Sequence, residues 1–322
     1  MRVAVVDIGT NSTRLLIAEV HERRVTAELE RESRVTRLGQ GVDETGALAD
    51  EAMERVFAVL TDYREKIDAG GVDATTAVLT SAVRDASNGA DFTATVRERF
   101  GLDAQTIPGE EEAALTFLGA TSERGASAEG PGGGERPGGG GGAAEEVVVD
   151  IGGGSTEVVV GRGNEVTFFV SMQVGVVRQT ERHLDSDPPT PDELTALATE
   201  VESIIGREVP GEVRERVKHA IAVAGTATSS AAIDLALDPY DPEAVHGHAL
   251  GLPRLDELLA RLAQMPNEER RDVVGLHPDR APTIVAGLAV LIEVLRAFGL
   301  EEVEVSEHDI LRGAALRRVG AQ

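Results

Sequence analysis

The chain has 322 residues, of which 41% are hydrophobic and 27% are charged, enough to form two domains with substantial cores. Its formal net charge of −25 argues against nonspecific nucleic-acid binding, because the averaged field repels a polyanion. The absence of cysteine excludes disulfides and thiolate chemistry. The sequence contains no long apolar run and no leader-like start, so we expect no membrane span and no signal peptide and infer a cytoplasmic protein.

One segment of the sequence occurs twice. Residues 5–17 read VVDIGTNSTRLLI and residues 148–160 read VVDIGGGSTEVVV. Each copy places a short turn of small residues between two apolar runs, which predicts a β-hairpin whose backbone N–H groups can approach an anion. Two such turns facing each other would grip a phosphate chain from both sides. The sequence therefore predicts an α/β protein of two related domains with a site between them.

A glycine-rich stretch separates the two copies. Residues 121–146 contain almost no apolar side chains. Burial of apolar surface therefore cannot offset the entropy that ordering would cost, and we predict a flexible linker. This divides the chain into a first domain over residues 1–120 and a second over residues 147–322. We expect that the last helix of the second domain can pack back against the first.

Strands and helices alternate in both predicted domains, which is typical of α/β layers. The first domain is predicted to contain a strand-rich segment over 23–37, a helix over 50–69, a strand ending at Leu79 and a helix over 108–120. Thr80 or Ser81 can cap a further helix that carries Arg84 one turn in. The second domain is predicted to contain a strand over 220–224, a helix opened by Gly225 and Thr226, a helix over 282–298, a strand over 302–306 and a helix over 310–319.

Several motifs in this order resemble the Ppx/GppA family of exopolyphosphatases and guanosine pentaphosphate phosphohydrolases, which belongs to the actin-like ATPase superfamily. Besides the two copies, they are TSAVRDASNG at 80–89, GEEEAALTFLGA at 109–120, HGHALGL at 246–252, RAPTIVAG at 280–287 and VSEHDILRG at 305–313. The resemblance covers nearly the whole chain. It implies two actin-like (ribonuclease H-like) domains with the active site in the cleft between them, as in the short two-domain members.

The resemblance also implies roles for particular residues. Glu112 matches the base that activates water, Arg84 matches an arginine that contacts phosphate, and Asp150 and Glu157 match the acids that hold Mg²⁺ and the attacking water. The residues implied to bind phosphate are Asp7, Gly9, Thr10, Asn11, Ser12, Arg14, Gly152, Gly153, Gly154 and Ser155. Phosphoanhydride hydrolysis needs an in-line water, a proton acceptor and positive charge near the phosphoryl oxygens, and this set supplies all three.

Our hypothesis from the sequence is an enzyme that removes terminal phosphate from inorganic polyphosphate. The alternative at the same site is conversion of pppGpp to ppGpp, which the catalytic residues cannot distinguish from the first reaction. A carbohydrate kinase shares the Asp-x-Gly-Thr start, but it does not require Glu112 together with DIGGGSTE. A non-catalytic alarmone sensor would not need the retained acids. The expected partners are polyphosphate or a guanosine alarmone, without nucleic acid or membrane, and homodimer formation stays open.

Overall fold

The computed structural model describes residues 1–122, 144–163 and 165–320 of the chain. Two mixed sheets flanked by helices form the fold, so the predicted α/β class is confirmed. Most of the segment predicted as a linker, residues 123–143, lies outside the described residues. At its edges, Thr121 is the last residue of a helix and Glu145 is the first residue of a strand.

The first sheet and its helices are built from the first 121 residues. Its strands are β1 (Arg2–Ile8), β2 (Ser12–His21), β3 (Arg24–Val35), β4 (Ala74–Leu79) and β5 (Ala104–Thr106). Its helices are α1 (Val42–Thr45), α2 (Asp50–Ala69), α3 (Ser81–Asp85), α4 (Gly89–Phe100) and α5 (Gly109–Thr121). The strands are arranged in the order β3-β2-β1-β4-β5.

The second sheet and its helices follow. Its strands are β6 (Glu145–Ile151), β7 (Thr156–Arg162), β8 (Glu165–Met172), β9 (Val217–Val223), β10 (Ala249–Gly251) and β11 (Glu302–Val305). The helices are α6 (Val176–His183), α7 (Pro191–Glu208), α8 (Gly211–Arg216), α9 (Ala224–Asp234), α10 (Pro242–Val245), α11 (Leu252–Ala263), α12 (Asn267–Arg270), a 3₁₀ turn (Pro278–Arg280), α13 (Ile284–Phe298) and α14 (Ile310–Gly320). The strand order is β10-β11-β9-β6-β7-β8.

The two sheets share one topology, as the sequence repeat predicts. Each begins with three antiparallel strands, and each then adds a parallel strand beside the first strand of that meander. The repeated apolar runs form β1 and β2 in one copy and β6 and β7 in the other. Asp7 and Asp150 therefore occupy equivalent places near the ends of β1 and β6, beside the turns.

Helix α14 connects the two halves of the molecule. It follows β11 of the second sheet, yet its apolar side chains, among them Leu311 and Leu316, pack in one cluster with Val3 and Leu16 of the first sheet. The same helix lies directly against α5. A side chain has no room at Gly313, where a Cβ would be 1.8 Å from the Leu115 carbonyl oxygen. The position of α5 is thus set by the last helix of the chain as well as by the sheets.

Most predicted elements of the sequence are present, with shifted ends. The strand predicted over 220–224 begins earlier, at Val217, and Ala224 already belongs to α9, so Gly225 does not open that helix. The helix predicted from residue 282 begins at Ile284, the strand predicted to reach residue 306 ends at Val305, and the last helix continues to residue 320. In the described part of the chain no helix combines the length and apolar character needed to cross a membrane.

Candidate active site

The turns of the two repeats lie against each other and line a common cavity. The β1–β2 turn closes with a hydrogen bond from the Gly9 N–H to the Ser12 carbonyl at 2.9 Å, and Gly152 and Ser155 make the same bond at 2.9 Å. A Cβ at Gly153 would lie 2.9 Å from the backbone nitrogen of Asn11. Glycine is needed here because a larger residue would hold the two turns apart.

The cavity between the turns has a volume of about 70 Å³. Its lining from the predicted site consists of Asp7, Gly9, Thr10, Asn11, Ser12, Arg14, Glu112, Asp150, Gly152, Gly153, Ser155 and Glu157. The start of α9 and the segment before α13 contribute further lining residues, including Gly225, Thr226 and Arg280. The fold therefore brings together residues that are as far as 303 positions apart in the sequence, as between Asp7 and Ile310.

The first repeat contributes a buried ion-pair cluster to this cavity. The register pairs Asp7 with Arg14 across β1 and β2, and an Arg14 nitrogen lies 2.7 Å from Asp7 Oδ2. Arg14 also donates to Asp309, the residue immediately before α14, whose own side chain is 3% exposed. Burial lowers the pKa of Arg14, but the negative charges of Asp309 and Asp7 outweigh that effect and raise the pKa overall. Arg14 faces the cavity with its charge already balanced by carboxylates.

The second repeat places two carboxylates at the equivalent positions. Asp150 pairs directly with Glu157 across β6 and β7, and both residues are buried. Burial, followed by the negative charge of Glu157, raises the pKa of Asp150 to about 8. Burial also raises the pKa of Glu157, although hydroxyl groups of Ser171 and Ser155 oppose the shift. This side of the cavity therefore carries negative charge that the protein leaves partly uncompensated, which favours binding of a cation.

Glu112 lies in the first turn of α5 and lines the same cavity. It is the only one of the three glutamates opening α5 that is buried, because Glu110 is exposed and Glu111 is half-buried. Its Oε2 accepts a hydrogen bond from Arg84 Nη1 at 3.0 Å. Burial and then the charge of Glu157 raise the pKa of Glu112, while Arg84 lowers it. The carboxylate thus lies near the other acids of the site.

Two residues of the predicted site, Arg84 and Gly154, lie beside the cavity, and the described residues that line it do not include them. Arg84 donates to Glu112 and, at 3.0 Å, to the Ile107 carbonyl. The Gly154 carbonyl accepts a hydrogen bond from Arg178 Nε at 2.9 Å.

The helix cap predicted at Thr80 or Ser81 also differs from the structure. Thr80 occupies the N-cap position of α3 but makes no side-chain capping bond.

The residues that sequence reasoning missed are Arg280 and Ser171. In the described part of the chain the Arg280 guanidinium has no hydrogen-bond or ion-pair partner, and burial lowers its pKa. Room for this group depends on Gly225, where a Cβ would lie 1.4 Å from Arg280 Nη1. The RAPTIVAG motif signalled Arg280 without giving it a role. Nothing local signals Ser171, because its contact with Glu157 arises from strand pairing.

The carboxylate oxygens at this site suit a cation that prefers oxygen ligands, provided that other ligands complete its coordination shell. Among residues 1–122, 144–163 and 165–320, no three His, Cys, Asp or Glu side chains are grouped so as to hold a metal ion by themselves. Asp150 and Glu157 offer a pair of adjacent carboxylates, and the buried Oδ1 of Asp7 lacks a hydrogen-bond partner. Mg²⁺ is commonly held by one or two carboxylates together with water and substrate phosphates. The residues present therefore fit Mg²⁺ as a cation shared with a phosphorylated substrate.

Comparison with known proteins agrees with this geometry. Exopolyphosphatase 2 of Mycobacterium tuberculosis is 38% identical over 331 aligned positions, which cover 99% of this chain and 99% of that protein. The crystal structure of the Aquifex aeolicus member of the Ppx/GppA protein family has a TM-score of 0.79 at 31% identity and covers 100% of this chain and 98% of its own. An exopolyphosphatase structure from Cytophaga hutchinsonii has a TM-score of 0.85 at 25% identity, with coverage of 100% and 98%.

The family assignment follows from these similarities and from the family's own sequence model. That model, described as the Ppx/GppA phosphatase family, matches residues 16–134 and 138–319, which is most of the chain. The match begins at residue 16, near the end of the first repeat, and it includes the α5 segment and the whole second repeat. The resemblance seen in the motifs is thereby confirmed, and the chain belongs to the Ppx/GppA phosphatase family.

Proposed function

We propose that this protein is an exopolyphosphatase that hydrolyses the terminal phosphoanhydride bond of inorganic polyphosphate and releases orthophosphate. The observation that carries this proposal is the buried carboxylate of Glu112, which faces a cavity formed by two glycine-containing turns and by the Asp150–Glu157 pair. The similarity to exopolyphosphatases over the full length of the chain supports the same reaction. A cytoplasmic location stays a prediction.

In this proposal Glu112 is the general base. It accepts a proton from a water molecule as the water oxygen forms a bond to the terminal phosphorus and the bridging P–O bond breaks. The shortened polyphosphate leaves with the bridging oxygen. A carboxylate with a raised pKa is a better proton acceptor than an ordinary glutamate, and burial supplies that shift here. Arg84, at 3.0 Å, would keep the carboxylate oriented.

Phosphate binding would involve the turn backbones and Arg280. The turns of residues 9–12 and 152–155 line the cavity, and their N–H groups, apart from those of Gly9 and Gly152 that bond within the turns, would donate to phosphate oxygens. Arg280 adds a positive charge that no described carboxylate neutralises at close range. By contrast, Arg14 is already paired with Asp7 and Asp309. We therefore assign the main cationic phosphate contact to Arg280 and a supporting role to Arg14.

Asp150 and Glu157 would hold Mg²⁺. When bound, this ion supplies positive charge to the phosphoryl oxygens of the substrate. The two carboxylates lie side by side across a pair of antiparallel strands, which fixes their relative position. Burial raises the pKa of both carboxyls, and the negative charge of Glu157 raises that of Asp150 further, so a bound cation would favour the charged form of each.

A second cavity beside the first supports pppGpp as the alternative substrate. It has a volume of about 710 Å³ and shares Arg14, Gly225 and Arg280 with the smaller cavity. Its lining includes the exposed side chains of Tyr240 and Val274. This volume lies within the range of small-molecule sites, so a nucleoside could occupy it while its terminal phosphate reaches the turns.

The test measures orthophosphate release with Mg²⁺ from long-chain polyphosphate, short-chain polyphosphate, pppGpp and ATP. We expect the fastest release from polyphosphate. Glu112→Gln should lower kcat by about 10²- to 10⁴-fold, because it removes the proton acceptor. Glu110→Gln is the matched control, since Glu110 belongs to the same helix turn but is exposed, and it should keep wild-type activity.

The outcomes separate the alternatives. Release from pppGpp alone would assign the protein to alarmone metabolism and refute the polyphosphate assignment. A Glu112→Gln variant with near-normal kcat would refute the assigned base even if polyphosphate is the substrate. Tight binding of an alarmone without release from any of the four compounds would indicate a sensor.

A further inference from the structure

A row of three polar side chains crosses neighbouring strands of the second sheet. The register pairs Asp150 with Glu157 and pairs Glu157 with Ser171 of β8. Directly paired residues in antiparallel strands place their side chains on the same face of the sheet. The Ser171 hydroxyl donates a hydrogen bond to Glu157 Oε1 at 2.7 Å. Ser171 therefore touches one acid of the site from the side opposite Asp150.

Ser171 also lies against the helix that carries Glu112. A Cβ at Gly109, the first residue of α5, would be 3.0 Å from Ser171 Cβ and 3.4 Å from its Oγ. The serine is half-buried between β7 and the start of this helix. Its hydroxyl is thus confined on two sides, so the bond to Glu157 costs little additional side-chain entropy.

The first repeat provides an internal comparison. Its register pairs Asp7 with Arg14 and Arg14 with Ser33, so Ser33 is the counterpart of Ser171. Over the described residues the exposed Ser33 side chain makes no hydrogen bond to the protein, and its neighbour in the row is an arginine held by carboxylates. The serine is engaged only in the copy where its neighbour is a carboxylate that lacks an arginine partner.

We propose that Ser171 is a positioning residue that holds the Glu157 carboxylate in the orientation required for binding the divalent cation. This inference rests on the proposed role of Glu157 in cation binding. The Ser171 hydroxyl donates a hydrogen bond to Glu157 Oε1 and restricts rotation of the carboxylate, so that Glu157 stays beside Asp150. Groups that orient metal-binding carboxylates typically contribute about 10- to 100-fold to metal affinity or activity.

The test is a titration of the full-length protein with Mn²⁺ alone, followed by the electron paramagnetic resonance signal of the free ion. We expect Ser171→Ala to weaken Mn²⁺ binding by about 10- to 100-fold with little change in thermal stability. The Mg²⁺ concentration that gives half-maximal phosphate release should rise in parallel. Thr167→Ala is the matched control, because it removes a hydroxyl from the same strand at an exposed position and should bind Mn²⁺ like the wild type.

A double-mutant cycle with Glu157→Gln separates positioning from a general effect on the fold. If Ser171 acts through Glu157, Ser171→Ala should weaken Mn²⁺ binding in the wild type but have no further effect in the Glu157→Gln background. Equal effects in both backgrounds, or wild-type affinity in Ser171→Ala, would overturn the proposal. Weakened Mn²⁺ binding in Ser171→Ala, together with no phosphate release from any substrate by the wild type, would refute the proposed reaction while leaving the role of Ser171 intact. A wild-type protein that binds no Mn²⁺ would overturn both.

Discussion

The two repeats share a fold but differ in how they balance charge. At one pair of equivalent positions the first repeat has Arg14 and the second has Glu157, each beside an aspartate on the neighbouring strand. The first pair forms a buried ion pair, and the second is a pair of like charges. One exchange of charge thus distinguishes a repeat that forms a buried ion pair from a repeat that places two carboxylates side by side.

The same backbone geometry therefore forms a buried ion pair in one domain and holds two adjacent carboxylates in the other. In the first repeat Arg14 connects β1 and β2 to Asp309, so it also fastens α14 to the first sheet. In the second repeat the charge is available to a ligand, because the described residues provide no arginine in ion-pair contact with Asp150 or Glu157. The candidate site thus combines a half whose arginine is paired with two carboxylates and a half whose adjacent carboxylates have no ion-pair partner among the described residues.

Removal of Arg14 should produce the largest change in stability. Arg14→Ala leaves Asp7 and Asp309 buried without their common partner, and breaking a buried pair in this way costs about 3–5 kcal/mol. Urea unfolding followed by circular dichroism measures the effect. The control is Arg64→Ala, which breaks a surface ion pair with the exposed Asp68 and should lower the free energy of unfolding far less. Similar losses in both variants would contradict the structural role of the first repeat.

The contact between the two turns should be the next most sensitive feature. Gly153→Ala introduces a Cβ within 2.9 Å of Asn11 and Thr10, so the turns must separate, at a cost of about 1–3 kcal/mol. Phosphate release should fall as well, because both turns line the cavity. Gly206→Ala, in helix α7 with nothing within 4 Å of the new methyl group, should instead gain about 0.5–1 kcal/mol. Full activity in Gly153→Ala would show that the close approach of the turns is dispensable.

The like-charge pair predicts a characteristic pH dependence. Asp150 has a pKa of about 8 in the fold and about 3.9 when unfolded, so the folded state binds more protons between these values. The free energy of unfolding of the metal-free protein should therefore fall as the pH rises from about 4 to about 8, by at most about 1.4 kcal/mol per pH unit for each proton. Chemical unfolding in EDTA across this range measures the slope.

Variants of the pair make that prediction specific to the second repeat. Asp150→Asn should make the slope shallower, since one of the buried carboxyls with a raised pKa is gone. Excess Mg²⁺ should flatten it too, because a cation compensates the two carboxylates and stabilises the state that binds it. A steep slope that persists in Asp150→Asn would locate the titration elsewhere.

Parts of this architecture could be predicted from local sequence. The helix over residues 50–69 was predicted with its observed ends, because its apolar face and its flanking residues are local signals. The observed ends of the strands near residues 220 and 306 and of the helix near residue 282 differ from the predicted ends, because tertiary packing decides where a strand or helix stops. Ala224 illustrates this, since it starts α9 with a φ of 62°, a conformation that its residue type does not suggest.

The candidate site, too, could be predicted only in part from the sequence. The repeat and the motifs identified Asp7, Asp150, Glu157 and Glu112, and all four line one cavity. The roles assigned to them remain predictions. The state of Arg14 could not be inferred from the repeat, because its partner Asp309 lies 295 residues away and reaches it only through the packing of α14.

The sequence by itself determined the duplicated α/β topology, the glycine turns and the exchange of arginine for glutamate between the repeats, since these depend on periodicity and residue type. The tertiary structure decided which charges are compensated. It paired Arg14 with two carboxylates, left Arg280 facing the cavity and placed Ser171 on Glu157. The physical reason is that strand register and helix packing join residues distant in sequence, and electrostatic balance in a buried site depends on those contacts.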